Sequence, residues 1–174
     1  MNIFLIGYRC TGKTTVGMAL ADRLGRPFVD TDQMVVEMSG TSIARMVAER
    51  GWPYFREREY EALAAVCARD NQVVATGGGV VLDARNRAAM GNSGKVVWLK
   101  ASETIIQMRL LADAATAGNR PSLTDQGLLA EIETVLGERK PLYATCADLV
   151  IDTDRETIAG ICERISNQLK IEEL

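Results

Sequence analysis

Gly7-Tyr8-Arg9-Cys10-Thr11-Gly12-Lys13-Thr14 matches the pattern G-x-x-x-x-G-K-[ST], and its flanks decide the fold. Immediately before it, Ile3-Phe4-Leu5-Ile6 is a short apolar run that reads as a buried strand ended by Gly7. Immediately after it, Val16, Leu20 and Leu24 fall four apart, the spacing of one helix face, and Gly25 is a natural stop. In a strand–loop–helix of this kind, backbone N–H groups point into the loop and the helix N-terminus adds partial positive charge. Such a loop cradles phosphate: Lys13 can reach the β- and γ-phosphates and the Thr14 hydroxyl can ligate Mg²⁺. The motif therefore specifies a nucleoside triphosphate and leaves the acceptor open.

Outward from this point, strands alternate with helices. Phe28-Val29 leads into Asp30-Thr31-Asp32 as a second short strand, Val73-Val74-Ala75 is a third, Val96-Val97-Trp98-Leu99 a fourth and Leu149-Val150-Ile151 a fifth. Between the second and third, residues 33–70 form the longest helical insertion. Met34 to Met38 is helical and ends at Gly40. Ser42 caps a helix running to Arg50 that Gly51 stops, and Pro53 sits in the first turn of another running to Arg69. Ser102 caps a helix with Ile105, Ile106, Arg109 and Leu110. Residues 112–125 lose periodicity and read as a mobile lid. Leu128 to Leu136 is helical, Pro141 is expected to break or kink the chain beyond it, and Thr157 to Leu169 closes the chain as a helix. Five strands separated by helices imply a parallel sheet covered on both faces, with functional loops at the carboxyl ends of the strands.

Composition narrows the function. At 174 residues the chain suits one domain, 1–174, which buries roughly 70% of its unfolded surface without staples. With 47% hydrophobic and 25% charged residues disorder is excluded as the main state, and no apolar run approaches the ~20 residues that a membrane span needs. A net charge of −3 argues against a general nucleic-acid binder. The start lacks a basic n-region, so a cytoplasmic location is expected. Histidine is absent, so acid–base chemistry must rest on a carboxylate, Lys, Cys or the substrate. Lys13, Lys95, Lys100, Lys140 and Lys170 are the lysines among 20 basic residues; the rest are Arg, suited to bidentate binding of carboxylate and phosphate. Cys10, Cys67, Cys146 and Cys162 are too scattered for a zinc site or disulfide framework, and Cys67 and Cys146 read as buried small apolar residues.

Further features carry chemistry. Asp30 and Asp32, one residue apart in an extended segment, point to the same side beside the phosphate loop. One can hold Mg²⁺ through water and the other accept a hydroxyl proton; a plain helix cap before Gln33 is the simpler alternative. Arg56 and Glu59 are i, i+3 neighbours, so Glu59 can orient Arg56. Gly77-Gly78-Gly79 allows a ligand to approach the backbone. Arg120 lies in the lid segment and Arg139 just before Pro141.

These features occur in an order that resembles the shikimate kinases, within the small nucleoside-monophosphate-kinase-like P-loop kinases. The resemblance runs the whole length and rests on GYRCTGKTT, FVDTD, FREREYEAL, VVATGGGVVL, the Arg120-Pro121 lid, ERKPLY and ADLVIDT. It implies a three-layer α/β P-loop kinase fold with strand order 2-3-1-4-5, a lid and a substrate-binding insertion. It implies transfer of the γ-phosphoryl of ATP to the 3-hydroxyl of shikimate, in chorismate and aromatic amino-acid biosynthesis, by a monomer using Mg²⁺. It places Lys13, Asp32 and Arg120 in catalysis, and Thr14 and Asp30 on the metal. ATP falls to Arg9, Cys10, Thr11, Gly12, Lys13, Thr14, Thr15, Arg109 (against adenine) and Arg120. The acceptor falls to Asp32, Arg56, Gly77, Gly78, Gly79 and Arg139, with the two arginines on its carboxylate. Two positions depart from the family pattern: Cys10 stands where glycine is usual, and Asp152-Thr153-Asp154-Arg155 lacks the proline usual beside adenine. The alternatives are a related kinase acting on gluconate or a nucleoside monophosphate, or a nucleotide-binding module without catalysis. A GTPase switch is disfavoured because no guanine-reading Asn-Lys-x-Asp motif is present.

Overall fold

A computed structural model describes residues 1–112 and 128–171. The lid expected at 112–125, with Arg120, falls almost wholly outside the described residues. The strands are β1 (Asn2–Ile6), β2 (Phe28–Asp30), β3 (Val73–Ala75), β4 (Gly94–Lys100) and β5 (Leu149–Asp152). They form one all-parallel sheet in the order β2-β3-β1-β4-β5. The helices are α1 (Lys13–Leu24), α2 (Thr31–Ser39), α3 (Ile43–Cys67), α4 (Ala84–Ser93), α5 (Glu103–Ala112), α6 (Leu128–Cys146) and α7 (Ile158–Leu169).

Strand alternation divides the core into two layers. Ile3 and Leu5 of β1, with Val97 and Leu99 of β4, face α1 and α7, where Val16, Leu20, Ile161 and Ile165 meet them. Phe4 and Ile6, with Val96 and Trp98, face the other way onto Leu63 and Val66 of α3, Met90 of α4 and Tyr143 of α6. Because β1 is buried on both faces, a one-residue slip in its pairing with β3 and β4 would exchange the two sets of side chains. The central register is therefore fixed, and with it the position of the loop after Ile6.

Several local expectations change. The second strand ends at Asp30, not Asp32. Asp30 caps α2, its Oδ1 accepting from the N–H groups of Asp32 (3.0 Å) and Gln33 (3.3 Å). The two carboxylates are thus a cap and a first-turn residue rather than neighbours on an extended strand. α4 has no counterpart among the expected elements; Asp83 caps it through the Arg85 N–H. α6 runs through Pro141 to Cys146 without a break. A proline in a helix interior costs roughly 3 kcal/mol, but the Pro141 ring is exposed, while Leu136 before it and Tyr143 after it are buried. Burial of the flanking side chains offsets the missing hydrogen bond. Cys67 and Cys146 are half-buried rather than buried; Cys162 is the buried one, and none of the four cysteines is in a disulfide.

α3 is two helical arms. Gly51 has φ 80° and ψ 169°, outside the helical region and at a positive φ that glycine adopts without steric cost. Ser42 caps the first arm through the Arg45 N–H, and Pro53 follows the break at the start of the second. The second arm carries Phe55, Glu59, Leu63 and Val66 into the molecule.

Candidate active site

The carboxyl ends of β1, β2 and β3 converge. The loop after β1 is shaped by three positive-φ residues, Gly7 (141°), Cys10 (61°) and Gly12 (93°). Gly12 caps α1 without a side chain, and the N-terminus of that helix opens onto the loop, a position suited to an anion. The Lys13 ammonium donates to the Gly7 and Tyr8 carbonyls at 2.9 and 2.8 Å. Beside it the Thr14 hydroxyl donates to Asp30 Oδ2 at 3.0 Å. A cleft lined by Arg9, Cys10, Gly12, Lys13, Thr14, Thr15, Asp30, Asp32, Thr76 and Gly78 gathers these groups. Two oxygen donors at its rim suit a hard cation such as Mg²⁺, which takes one or two protein ligands and completes its shell with phosphate and water.

An adjoining hollow is lined by Thr11, Val16, Arg109, Thr153 and Ile158, with Cys10, Gly12 and Thr15 at the shared edge. Arg109 reaches it as expected, but its guanidinium is turned to the main chain. It donates to the Cys10 carbonyl at 3.2 Å, to Thr153 Oγ1 at 3.3 Å and to the Thr153 carbonyl at 3.1 Å.

On the other side of the loop lies a cleft partly open to solvent. Its charged lining is Arg9, Asp32, Arg56, Glu59 and Arg139; its apolar wall is Ile43, Trp52 and Phe55; Gly77, Gly78 and Gly79 form the remaining edge. Arg56 Nη1 donates to Glu59 Oε2 at 2.6 Å, the orienting pair expected from their spacing. The guanidinium also lies 5.3 Å from the Trp52 ring centre and 5.0 Å from that of Phe55. Glu59 is 1% exposed. Burial pushes its carboxyl above the ordinary glutamate range, and the nearby Arg56 only partly opposes this. Its Oε1 has no hydrogen-bond partner among the described residues.

At Gly77 and Gly79 the site's side chains approach the backbone closely. A Cβ on Gly77 would lie 2.6 Å from Asp32 Oδ1 and equally close to Glu59 Oε1, and one on Gly79 would collide with the Arg56 guanidinium. Arg139 comes from α6, donating to the Gly78 carbonyl at 3.1 Å. Tyr143, one turn later on the same face, donates its hydroxyl to the same carbonyl. Burial raises the Tyr143 hydroxyl to a pKa of about 12, so it stays a donor at neutral pH.

The two clefts share Arg9, Asp32 and Gly78. Arg9, expected on ATP, stands at this seam, ion-paired with the buried Glu131 of α6 and packed over Tyr8. The structure therefore brings together all the expected site residues that it describes; Arg120 lies outside them. Sequence reasoning missed Trp52, Glu131, Tyr143 and Thr153. Tyr143 had a signal, since it sits i+4 from Arg139; Glu131, 122 residues from Arg9, had none.

A phosphate-binding loop on an all-parallel sheet, opening into a second cleft of paired arginines and a carboxylate, defines a P-loop phosphotransferase for a small anionic acceptor. The shikimate kinase family profile matches residues 9–170. A shikimate kinase from Nitratidesulfovibrio vulgaris is 48% identical over 165 residues, covering 95% of this chain and 93% of that protein. One from Syntrophus aciditrophicus is 44% identical over 172 residues, covering 94% and 88%. The structure of a shikimate kinase from Acinetobacter baumannii in complex with shikimate superposes with a TM-score of 0.90 at 32% identity, covering 97% of this chain and 92% of that one. A gluconokinase from Sinorhizobium meliloti shares the fold alone, at 18% identity and a TM-score of 0.57 over 97% of this chain and 95% of that one. The chain belongs to the shikimate kinase family, and it is an ATP-dependent kinase.

Proposed function

We propose that the protein transfers the γ-phosphoryl of ATP to the 3-hydroxyl of shikimate, yielding shikimate 3-phosphate and ADP. The observation that carries this reading is the shared wall of the two clefts. Asp32 faces the phosphate-binding loop on one side and a pocket containing Arg56 and Arg139 on the other. An acceptor with one carboxylate and several ring hydroxyls meets both requirements: guanidinium forks grip the carboxylate, and the carboxylate of Asp32 holds a hydroxyl. The A. baumannii enzyme, in complex with shikimate, supports the same choice.

In this mechanism Arg56 and Arg139 fix the acid end of the ring against Gly78 and Gly79, with Trp52 and Phe55 against its carbon face. Asp32 orients the 3-hydroxyl and takes its proton as the hydroxyl oxygen bonds to the γ-phosphorus. The bond from that phosphorus to the β–γ bridging oxygen breaks, and the electron pair leaves with ADP. Lys13 and the loop N–H groups stabilise the charge that develops on the phosphoryl oxygens. Thr14 directly, and Asp30 through water, would hold Mg²⁺. A cation held there would supply positive charge that offsets the charge on the phosphates. Arg120, outside the described residues, keeps the role the resemblance gives it, closing over the phosphates. We further propose a monomer located in the cytoplasm; among the described residues, no helix is long and apolar enough to cross a membrane.

The test is ADP release measured by a coupled assay over shikimate, gluconate and AMP at equal concentration. Shikimate should be turned over far faster than either. Equal or better turnover of gluconate or AMP would overturn the acceptor assignment.

A further inference from the structure

Arg109 ties three separate parts of the chain together beside the phosphate loop. Among the described residues its guanidinium makes three hydrogen bonds, and none of the acceptors belongs to its own helix. Thr153, which takes two of them, is 4% exposed and is itself fixed. Its N–H donates to the Lys100 carbonyl at 2.8 Å and its hydroxyl to the same oxygen at 3.2 Å. A rigid line therefore runs from the end of β4 through Thr153 to the Arg109 guanidinium and ends on one atom of the phosphate loop, the carbonyl oxygen of Cys10.

That atom belongs to a strained residue. Cys10 has φ 61°, and Asn71 and Lys170 are the other non-glycine residues at positive φ among those described. A residue with a Cβ is disfavoured there unless its surroundings over-determine it. If the Cys10 carbonyl were released, the Cys10–Thr11 peptide could turn and Cys10 could relax to negative φ. The loop would then lose its concave shape, and a carbonyl oxygen could rotate toward the anion. The charge-assisted bond from Arg109 opposes both movements.

We propose that Arg109 is a positioning residue of the phosphate loop. By holding the Cys10 carbonyl it keeps the loop in its anion-binding shape at a position where the chain lacks glycine. The proposal rests on the loop being the site of the nucleotide phosphates. It is separate from any contact of Arg109 with the base, and the two predict different couplings. A base contact is indifferent to residue 10, whereas a backbone clamp becomes dispensable when residue 10 adopts positive φ without cost.

The experiment uses the full-length enzyme with Arg109→Lys, Arg109→Ala, Cys10→Gly and the two double variants. Steady-state kinetics give KM for ATP and kcat, and inorganic tripolyphosphate serves as a competitive inhibitor that reads the loop without a base. Arg109→Lys keeps the charge and loses the planar fork, so it guards against a trivial loss of positive potential. Loss of a charge-assisted bond should weaken tripolyphosphate and raise KM for ATP about tenfold, with a smaller change in kcat. Adding Cys10→Gly should restore most of that loss in both Arg109 backgrounds. Unchanged tripolyphosphate inhibition with a raised KM for ATP would assign Arg109 to the base alone and overturn the proposal. A loss that Cys10→Gly fails to recover would overturn it equally. Absence of ATP-competitive inhibition by tripolyphosphate in the unaltered enzyme would instead remove the premise that this loop takes the phosphates.

Discussion

Replacing Arg56 by alanine separates grip from stability. Arg56 donates to Glu59 at 2.6 Å, is 20% exposed, and lies in the acceptor cleft away from the phosphate loop. Each charge-assisted hydrogen bond it makes to a substrate carboxylate is worth about 1.5–3 kcal/mol, or roughly 10–150-fold in affinity. Arg56→Ala should therefore raise the shikimate Kd by that factor while leaving ATP affinity nearly unchanged. It also strands Glu59, which is 1% exposed. Breaking a buried ion pair from one side costs about 3–5 kcal/mol. Glu59 can soften this by taking up a proton, which its raised pKa already favours, so we expect the lower end, about 3 kcal/mol. For a chain of this size that lowers Tm by roughly 6–12 °C. Arg56→Ala combined with Glu59→Ala removes the stranded charge, so it should recover much of the stability and none of the affinity. Arg56→Lys should rescue binding only in part, because a point charge does not reproduce a planar fork. Glu59→Ala alone should give a milder binding defect. The assays are calorimetric titration with shikimate and urea unfolding of the same preparations. An unchanged shikimate Kd in a folded Arg56→Ala enzyme would show that the carboxylate binds elsewhere and would refute the reasoning.

Asp32→Asn should cut turnover by roughly 10²–10⁴ if Asp32 receives the hydroxyl proton, with ATP binding retained; near-native turnover would remove it from the chemistry. The pH dependence of stability follows from Glu59. Its folded-state pKa is raised by burial, so the native state favours the protonated form, and stability falls as pH rises from the unfolded value near 4.5 through the folded one. The Tm of Glu59→Gln relative to the unaltered protein should therefore increase with pH above about 4.5; a constant or shrinking difference contradicts this. Burial pushes the Cys67, Cys146 and Cys162 thiols up, while Cys10 borders the two clefts beside the phosphate loop. Brief alkylation followed by mass spectrometry should find Cys10 modified first and protected by ATP; earlier labelling of any other cysteine counts against it.

Much of this architecture is legible because short-range patterns carry it. The Gly7–Thr14 loop needs its glycines and lysine at fixed spacing, and the two-faced burial of β1 and β4 leaves continuous apolar runs. α4 leaves no such trace: only Asn86 and Met90 of its ten residues are buried, so it has no apolar stripe to read. Asp30 and Asp32 are identifiable by their chemistry, but not their geometry, because the cap at Asp30 starts the helix at Thr31 and turns Asp32 off the strand. Pro141 shows tertiary burial overriding a local breaker. The Arg9–Glu131 pair and the tie from Arg109 to Cys10 join residues about a hundred positions apart, and no local pattern reports them.

The break at Gly51 distributes the acceptor pocket over two levers. Arg56, Glu59, Trp52 and Phe55 ride on the arm after the break, which is keyed into the core by Leu63 and Val66. Ile43 alone enters the pocket from the arm before it, whose buried Met46 shares one apolar cluster with Val35 of α2 and with Phe55 and Ala62 of the second arm. A shift of the first arm about this glycine would thus reach Phe55 in the pocket wall, and through Phe55 the neighbouring Arg56 guanidinium. Ring-shape selectivity and grip on an acid group would then be coupled through Phe55, so substitutions in the 43–50 arm or in α2 should be felt by both.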